Sequence, residues 1–175
     1  MAVSLSHKFG QIIGDVLEGA MVPILYEVAT KNNLFLDKKG KRNGRSGLKV
    51  TWKDKFGNDH DLDFVYEVGG STDKKGYPVA FIESAWRRYT KHSRNKAQEI
   101  QGAIVPLQTT YENCCRFIGV ILGGVFTDGA LTQLRSLNFK VLYFPYEKIV
   151  KAFKSVGIDA SFDEETPESE FCLVS

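Results

Sequence analysis

The chain has 175 residues, of which 43% are hydrophobic, and a formal net charge of +2, values typical of one globular domain with a single core. No apolar run approaches the roughly 18 residues needed to span a bilayer, and no early signal segment is present. Three cysteines, two of them adjacent at 114 and 115, form neither a metal-ligand spacing nor a disulfide framework. We therefore expect a cytoplasmic protein that is not associated with a membrane.

The small net charge conceals two basic segments and an acidic end. Residues 38–55 contain eight Lys or Arg and one acid, and residues 87–96 contain five more cations and no acid. Residues 159–170 contain six acids and no Lys or Arg. Such segregation favours a polyanion-binding face, although a solvated surface explains each segment alone equally well. The domain is predicted to span residues 1–157, followed by an acidic tail at 158–175 whose composition favours disorder.

The first half of the chain predicts a helix and three strands. Apolar residues recur near the helical period over residues 5–31, where Pro23 is expected to kink or divide the helix. Residues 37–47 form a Gly-rich basic loop without a packing pattern. The strands follow at 48–54 and 61–68, which make a hairpin, and at 79–85, which is apolar enough to be central in the sheet.

The second half alternates helices and strands. A helix is predicted from about Ser93, with Ser93 or Thr90 as its candidate N-cap and a kink at Pro106. It is followed by a strand at 116–124, a helix at 128–137, a strand at 139–145 and a last helix ending at Gly157. This order predicts an α/β fold with a mixed central sheet of about five strands and helices on both faces.

Two carboxylates interrupt strands that otherwise read as buried. Asp63 lies in DLDFV and Glu83 in VAFIES. A buried carboxylate needs a pairing cation, a metal or an open strand end, and two on adjacent strands can hold Mg²⁺. Asp61 shares the strand parity of Asp63 and Glu18 lies on the first helix, so both are further candidate ligands. Pairing with a lysine for Asp63, or with Arg87 or Arg88 for Glu83, is the structural alternative.

The order helix, hairpin, strand, helix, strand, with Asp63 followed by Glu83, resembles the PD-(D/E)XK nuclease superfamily, in particular type II restriction endonucleases. The resemblance covers about residues 5–145 and implies an αβββαβ core, Mg²⁺ dependence (with Mn²⁺ as a substitute) and hydrolysis of DNA phosphodiesters. It assigns Asp63 to the first motif acid and Glu83 to the second.

The sequence departs from this family pattern at Ala85, where the motif has lysine. A cation from elsewhere could take its place, namely Arg87, Lys91 or Lys96, since the family tolerates migration of this lysine. Alternatively the site cleaves without the amine, or it is inactive and the protein only binds DNA.

The basic segments contain the candidate DNA contacts. Lys and Arg bind phosphate oxygens without reading sequence, whereas an arginine in a flexible loop can read guanine in the major groove. Trp86 and Tyr89 are interpreted as packing residues. The candidate DNA-binding residues are Arg87, Arg88, Lys91, Arg94 and Lys96, together with Arg42 and Arg45 from the loop 37–47.

The leading interpretation is a Mg²⁺-dependent endonuclease of restriction type that acts on duplex DNA. Cleavage of both strands calls for two active sites, so we expect a homodimer. The alternatives are a catalytically inactive DNA-binding protein on the same fold and a structure-specific repair or resolvase nuclease. Neither a P-loop, nor a dinucleotide fingerprint, nor a nucleophile elbow is present.

Overall fold

The fold was obtained as a computed structural model that describes residues 5–161, and all of their side chains except those of residues 5–7 and 91. The secondary structure runs α1 (Leu5–Lys31), β1 (Phe35–Lys38), β2 (Val50–Lys53), β3 (Asp59–Leu62), β4 (Phe64–Val68), β5 (Tyr77–Arg87), a 3₁₀ turn (Thr90–His92), α2 (Ser93–Thr110), β6 (Phe117–Gly124), α3 (Asp128–Ser136), β7 (Lys140–Pro145) and α4 (Tyr146–Lys154).

The main sheet has five strands in the order β1-β4-β5-β6-β7. Strands β1, β4 and β5 pair antiparallel, whereas β5, β6 and β7 pair parallel. The sheet is therefore mixed, and helices cover both of its faces. The predicted α/β class with a central sheet of about five strands is confirmed.

The membership of the sheet differs from the prediction. The segments 48–54 and 61–68 do pair as a hairpin, but β2 and β3 form a separate two-stranded sheet in which Val50 lies opposite Leu62. The predicted second strand breaks at Asp63, and only its second half, β4, enters the main sheet. The fifth position is taken by β1, which the sequence had placed partly in a loop.

Two apolar layers enclose the sheet. Side chains on one face of α1 pack against residues such as Phe64, Ile82 and Ile121. On the other face, α2 and α3 pack against residues such as Val65, Phe81 and Leu122. Strand β5 contributes to both layers by alternation, which confirms its central position.

Neither proline ends its helix, so the possible division of the first helix at Pro23 does not occur. Pro23 lies inside α1 and Pro106 inside α2, and each helix continues past its proline. Neither of the two candidate N-cap residues caps α2. His92 is the N-cap residue, while the Ser93 hydroxyl donates to the Thr90 carbonyl at 2.8 Å instead of capping the helix.

The basic loop 37–47 is held by buried ion pairs rather than left free. Arg42 donates to both Glu67 carboxylate oxygens, at 2.6 and 2.8 Å, and pairs with Asp37 at 2.7 Å. Arg45 pairs with the same Asp37 at 3.1 Å and donates to three loop carbonyls. The exposed fraction of these four side chains is at most 4%. Arg42 and Arg45 are therefore structural in this fold, and their predicted role in reading DNA is corrected.

The ends of β5 and β6 meet at Gly124. Its φ of +95° is one that side-chain-bearing residues rarely adopt, and a Cβ there would collide with the Arg87 carbonyl oxygen. Val125 then donates its N–H to that same oxygen at 2.7 Å. The glycine thus allows the two parallel strands to end side by side, which sets the position of Arg87.

Part of the predicted tail is packed. Residues 158–161 are described, and Ala160 is buried, with its carbonyl accepting the Tyr146 hydroxyl at 3.1 Å. The remainder of the tail, residues 162–175, lies outside the described residues, so its predicted disorder stays a prediction. Within residues 5–161, no helix is long and apolar enough to cross a membrane.

Candidate carboxylate site

Asp63 and Glu83 lie opposite each other at one end of the β4–β5 pair. The last pair of the ladder joins Phe64 to Ile82, and the next step of that register places Asp63 across from Glu83. The backbone N–H of Ser84 donates to Asp63 Oδ2 at 2.7 Å. Because the chain changes sheets at Asp63, its carboxylate is free of the β2–β3 hairpin and points toward β5.

The carboxyl group of Glu83 is hydrogen-bonded to that of Asp63, and Glu83 is the more deeply buried of the two. Glu83 is 8% exposed. Burial, followed by repulsion from Asp63, raises the pKa of Glu83 to about 9, and the positive charge of Lys96 only partly opposes this shift. At neutral pH and without a bound cation, the pair therefore retains a proton.

Glu18 brings a third carboxylate into the same electrostatic environment. Burial and repulsion from Asp63 raise the pKa of Glu18, and Asp15 adds to this shift. Lys39 and Lys38 act in the opposite direction. Glu18 therefore lies within electrostatic reach of Asp63, and its role as a metal ligand stays a prediction.

A cleft of about 790 Å³ adjoins the carboxylates. Ser84 and Ala85, which directly follow Glu83, form part of its wall, and Glu18 lines it from α1. The cations that line it are Lys39, Arg87, Arg88 and Lys96. Acidic groups thus meet a cationic rim in one concave surface, which is the arrangement expected of a site for an anionic ligand with a metal.

Ala85 does not provide the amine of the family motif, and its side chain is 6% exposed within the apolar layer under α2. Of the predicted substitutes, Lys96 is a cleft residue whose charge acts on Glu83, and its amine lies 3.5 Å from Glu99. Arg87 donates to the Trp86 carbonyl at 2.8 Å and lies 3.8 Å from Glu99. The side chain of Lys91 lies outside the described part of the chain.

Asp61 is engaged elsewhere. It accepts hydrogen bonds from Lys49 and Thr51, both at 2.6 Å, on the two-stranded sheet. These bonds hold the pKa of Asp61 below its usual range. Strand parity had placed Asp61 beside Asp63, but parity does not apply across the break at residue 63. Its role as a metal ligand is therefore corrected.

The remaining basic residues near the cleft differ in exposure. Arg94 is exposed on the first turn of α2. The Arg88 guanidinium lies over the Tyr89 ring, 5.1 Å from its centroid.

Trp86 is buried between the α1 glycines Gly10 and Gly14 and Tyr146, so its interpretation as a packing residue is confirmed.

The carboxylates beside the cleft could supply part of the oxygen coordination that a hard divalent cation needs. Mg²⁺ commonly binds one or two protein carboxylates and keeps several waters, which matches Asp63 and Glu83 with Glu18 nearby. A cation bound between the two carboxylates would relieve the repulsion by Asp63 that helps to raise the pKa of Glu83. Among residues 5–161, however, no three His, Cys, Asp or Glu side chains are grouped closely enough to form a complete metal cage.

Two charged residues of the cleft were not identified from the sequence as site residues. Lys39 and Asp15 both line the cleft and both act on Glu18. Lys39 is one of eight cations in a basic segment, and Asp15 is an ordinary polar residue of an amphipathic helix. No local pattern separates either from its neighbours; only the packing of α1 and β1 does.

Comparison with known proteins does not assign the chain to a family. No family model and no curated protein matches it. A solved structure, described as that of a protein of unknown function, AF1548, is similar at 12% identity and a TM-score of 0.47, covering 82% of this chain and 72% of its own. This similarity is too low to carry a functional argument.

Proposed function

We propose that the protein is a Mg²⁺-dependent endonuclease that hydrolyses phosphodiesters in duplex DNA. The observation that carries the proposal is the pair formed by the buried Glu83 and the half-buried Asp63, beside a cleft that four cations line. Buried carboxylates without a neutralising partner are costly in a purely structural role, whereas a metal site requires them. The resemblance to PD-(D/E)XK nucleases supports the same reading of these two residues.

Each side chain has a defined task in this proposal. Asp63 and Glu83 hold the metal, and the Ser84 N–H keeps Asp63 oriented toward Glu83. When bound, Mg²⁺ would neutralise charge on the scissile phosphate and lower the pKa of the attacking water. Lys96 takes the place of the motif lysine and stabilises negative charge that develops beside Glu83. Arg87, Arg88 and Lys39 contact the flanking phosphates.

The test is cleavage of methylation-free plasmid and phage DNA in Mg²⁺, Mn²⁺ or EDTA. Glu83→Ala and Asp63→Asn are expected to abolish Mg²⁺-dependent cleavage. Asp61→Asn is the matched control, because Asp61 is a nearby carboxylate that binds Lys49 on the other sheet. Cleavage that persists in Glu83→Ala, or is lost equally in Asp61→Asn, would contradict the assignment of the site.

Lys96→Met separates an active nuclease from a binding protein. Removal of an electrostatic stabiliser of the transition state typically costs about 10²–10³ in kcat, and we expect DNA affinity to change much less. The inactive DNA-binding protein remains the second candidate because Ala85 occupies the motif position. Salt-sensitive DNA binding without cleavage under any metal condition would favour that candidate.

A further inference from the structure

Residues 162–175 carry five carboxylates and no Lys or Arg, and they follow directly after the last described residue. These acids are Asp163, Glu164, Glu165, Glu168 and Glu170. The segment therefore has no cation of its own to offset the repulsion between them. It gains electrostatic energy from contact with the rest of the chain only where that surface has an excess of cations.

The described chain ends beside the cleft of the candidate site. Ala160 is 1% exposed, and its carbonyl accepts the Tyr146 hydroxyl at 3.1 Å. The centroid of the Tyr146 ring lies 6.2 Å from that of Trp86, which lines the cleft. Tyr146 also directly follows β7, whose last residue lies level with the ends of β5 and β6. The acidic segment is therefore tethered at the edge of the sheet where the cleft lies.

The segment is long enough to reach the whole cleft from this point. Its fourteen residues span up to about 45 Å when fully extended. A domain of this length has a radius of gyration of about 16 Å. A ligand on a short tether is present at an effective concentration of about 1 mM. Even a weak contact between the segment and the cleft is therefore well populated.

The cations of the cleft are less fully matched than those of the two-stranded sheet. Lys49 and Lys53 each have a carboxylate of their own, at 2.6 and 2.7 Å. Among the described residues, Arg87 and Lys96 approach one shared carboxylate, that of Glu99, at 3.8 and 3.5 Å. The cations that line the cleft are Lys39, Arg87, Arg88 and Lys96. An acidic segment thus finds its excess of positive charge there.

We propose that residues 163–170 bind against the cations of the cleft in the same chain. The carboxylates contact Arg87 and Lys96, which come from β5 and α2, and avoid Asp15 and Glu18, which line the cleft from α1. Arginine binds carboxylates through two parallel hydrogen bonds, so its side chain suits this partner as well as it suits phosphate. The segment then occupies the place that the proposed function gives to DNA phosphates, and the inference rests on that function for this consequence alone.

The consequence is that the chain carries its own competitor for DNA. Duplex DNA presents one negative charge per about 1.7 Å of helix axis, whereas the segment has five carboxylates in eight residues, 163–170. DNA therefore displaces the segment, while polyanions of lower charge density do not. The contact weakens as salt rises, because the Debye length falls to about 3 Å at 1 M ionic strength.

The contact itself is tested without DNA, by carbodiimide coupling of carboxylates to amines in the full chain, followed by peptide mass spectrometry. We expect residues 163–170 to couple to Lys96 or Lys39, and this coupling to disappear at about 1 M salt. Lys49 and Lys53 are the matched controls. Each should couple to its own partner, Asp61 or Asp59, which shows that the reaction works.

An equimolar mixture of isotope-labelled and unlabelled chain separates coupling within one chain from coupling between two chains. Coupling within one chain to the cleft lysines supports the proposal. Coupling of the segment to the control lysines to the same extent would overturn it. Coupling only between chains, or no coupling of the segment while the controls react, would overturn it as well.

Competition is tested by DNA affinity in EDTA, where Mg²⁺-dependent cleavage is absent. A variant with all five acids of the segment changed to amides is expected to bind a short duplex about tenfold more tightly than the control variant. The control carries the same change in net charge at exposed carboxylates elsewhere: Glu27→Gln, Asp59→Asn, Asp61→Asn, Asp73→Asn and Glu112→Gln. Equal affinities of the two variants would overturn the competition. Coupling within one chain, with no DNA binding by any variant, would contradict the proposed function and support the contact.

Discussion

Two regions of this protein each bring two carboxylates together, and they balance the resulting negative charge in opposite ways. In the first, Asp37 and Glu67 are matched by Arg42 and Arg45 at distances of 2.6–3.1 Å. In the second, Asp63 and Glu83 are hydrogen-bonded to each other, and Lys96 only partly offsets their repulsion. A cluster whose charges are matched internally supports the fold, whereas one that lacks a cation is suited to bind one.

The largest expected loss in the free energy of unfolding comes from a change in the matched cluster, which consists of Asp37, Glu67, Arg42 and Arg45. Arg42→Ala would leave Asp37 and Glu67 buried with one arginine between them, and breaking a buried pair costs about 3–5 kcal/mol. Urea unfolding of the variant and the wild type measures this loss. A loss below about 1 kcal/mol would mean that the cluster behaves like a surface ion pair, and the contrast between the two regions would fail.

Mg²⁺ is expected to stabilise the folded protein by binding to the unmatched cluster, Asp63 and Glu83. A cation that binds only the folded state at one hundred times its dissociation constant adds about 2.7 kcal/mol. The melting temperature at pH 8 should therefore rise with Mg²⁺ in the wild type and not in Glu83→Gln. An equal rise in both proteins would place the binding site elsewhere.

The pH dependence of the metal-free protein gives a third test, in which the loss of stability per pH unit is smaller than the gain expected from Mg²⁺. The pKa of Glu83 is about 9 in the folded chain and ordinarily 4.5, so between these values the folded state binds more protons than the unfolded state. The stability linked to this proton is fully present below pH 4.5 and is lost as pH rises toward 9. The slope is at most about 1.4 kcal/mol per pH unit for one proton.

Melting temperatures of metal-free protein from pH 5 to about 9 would measure this loss. Glu83→Gln is the control, because an amide does not titrate and its curve should be flatter over the same range. A wild-type curve parallel to that of Glu83→Gln would mean that Glu83 is already ionised and matched.

The smallest effect is expected at Asp61. Its ion pair with Lys49 is exposed, with 46% of the Asp61 side chain and 72% of the Lys49 side chain accessible. Exposed pairs contribute about 0–1 kcal/mol. Asp61→Asn should therefore change urea unfolding by less than that and leave the Mg²⁺ response intact. Loss of the Mg²⁺ response would return Asp61 to the metal site and show that the hairpin rearranges.

Local patterns predicted most of the fold. The spacing of apolar residues determined α1 and the later helices, and the apolar run around Phe81 determined the central strand. The pairing of β2 with β3 also followed from local alternation. These features depend on near neighbours in the chain, so a sequence contains enough information to place them.

The candidate site could be predicted only in part. A carboxylate inside an apolar strand is a local signal, and it led to Asp63 and Glu83. Glu18 and Lys96 were candidates without a demonstrated partner. The structure brings their charges to bear on the strand pair from α1 and α2, which approach it from different elements.

Only the tertiary structure decided which charged side chains lie next to each other. Arg42, Arg45 and Lys39 belong to one basic segment and look alike in the sequence, yet the first two are buried against acids and the third lines the cleft. Asp61 and Asp63 are only two positions apart in the sequence. Asp61 nevertheless belongs to β3 in the two-stranded sheet, and the chain passes to the main sheet at Asp63. The sequence by itself determined where helices and strands form and which carboxylates are costly to bury. The partners of those charges come from distant segments, so packing alone assigns them.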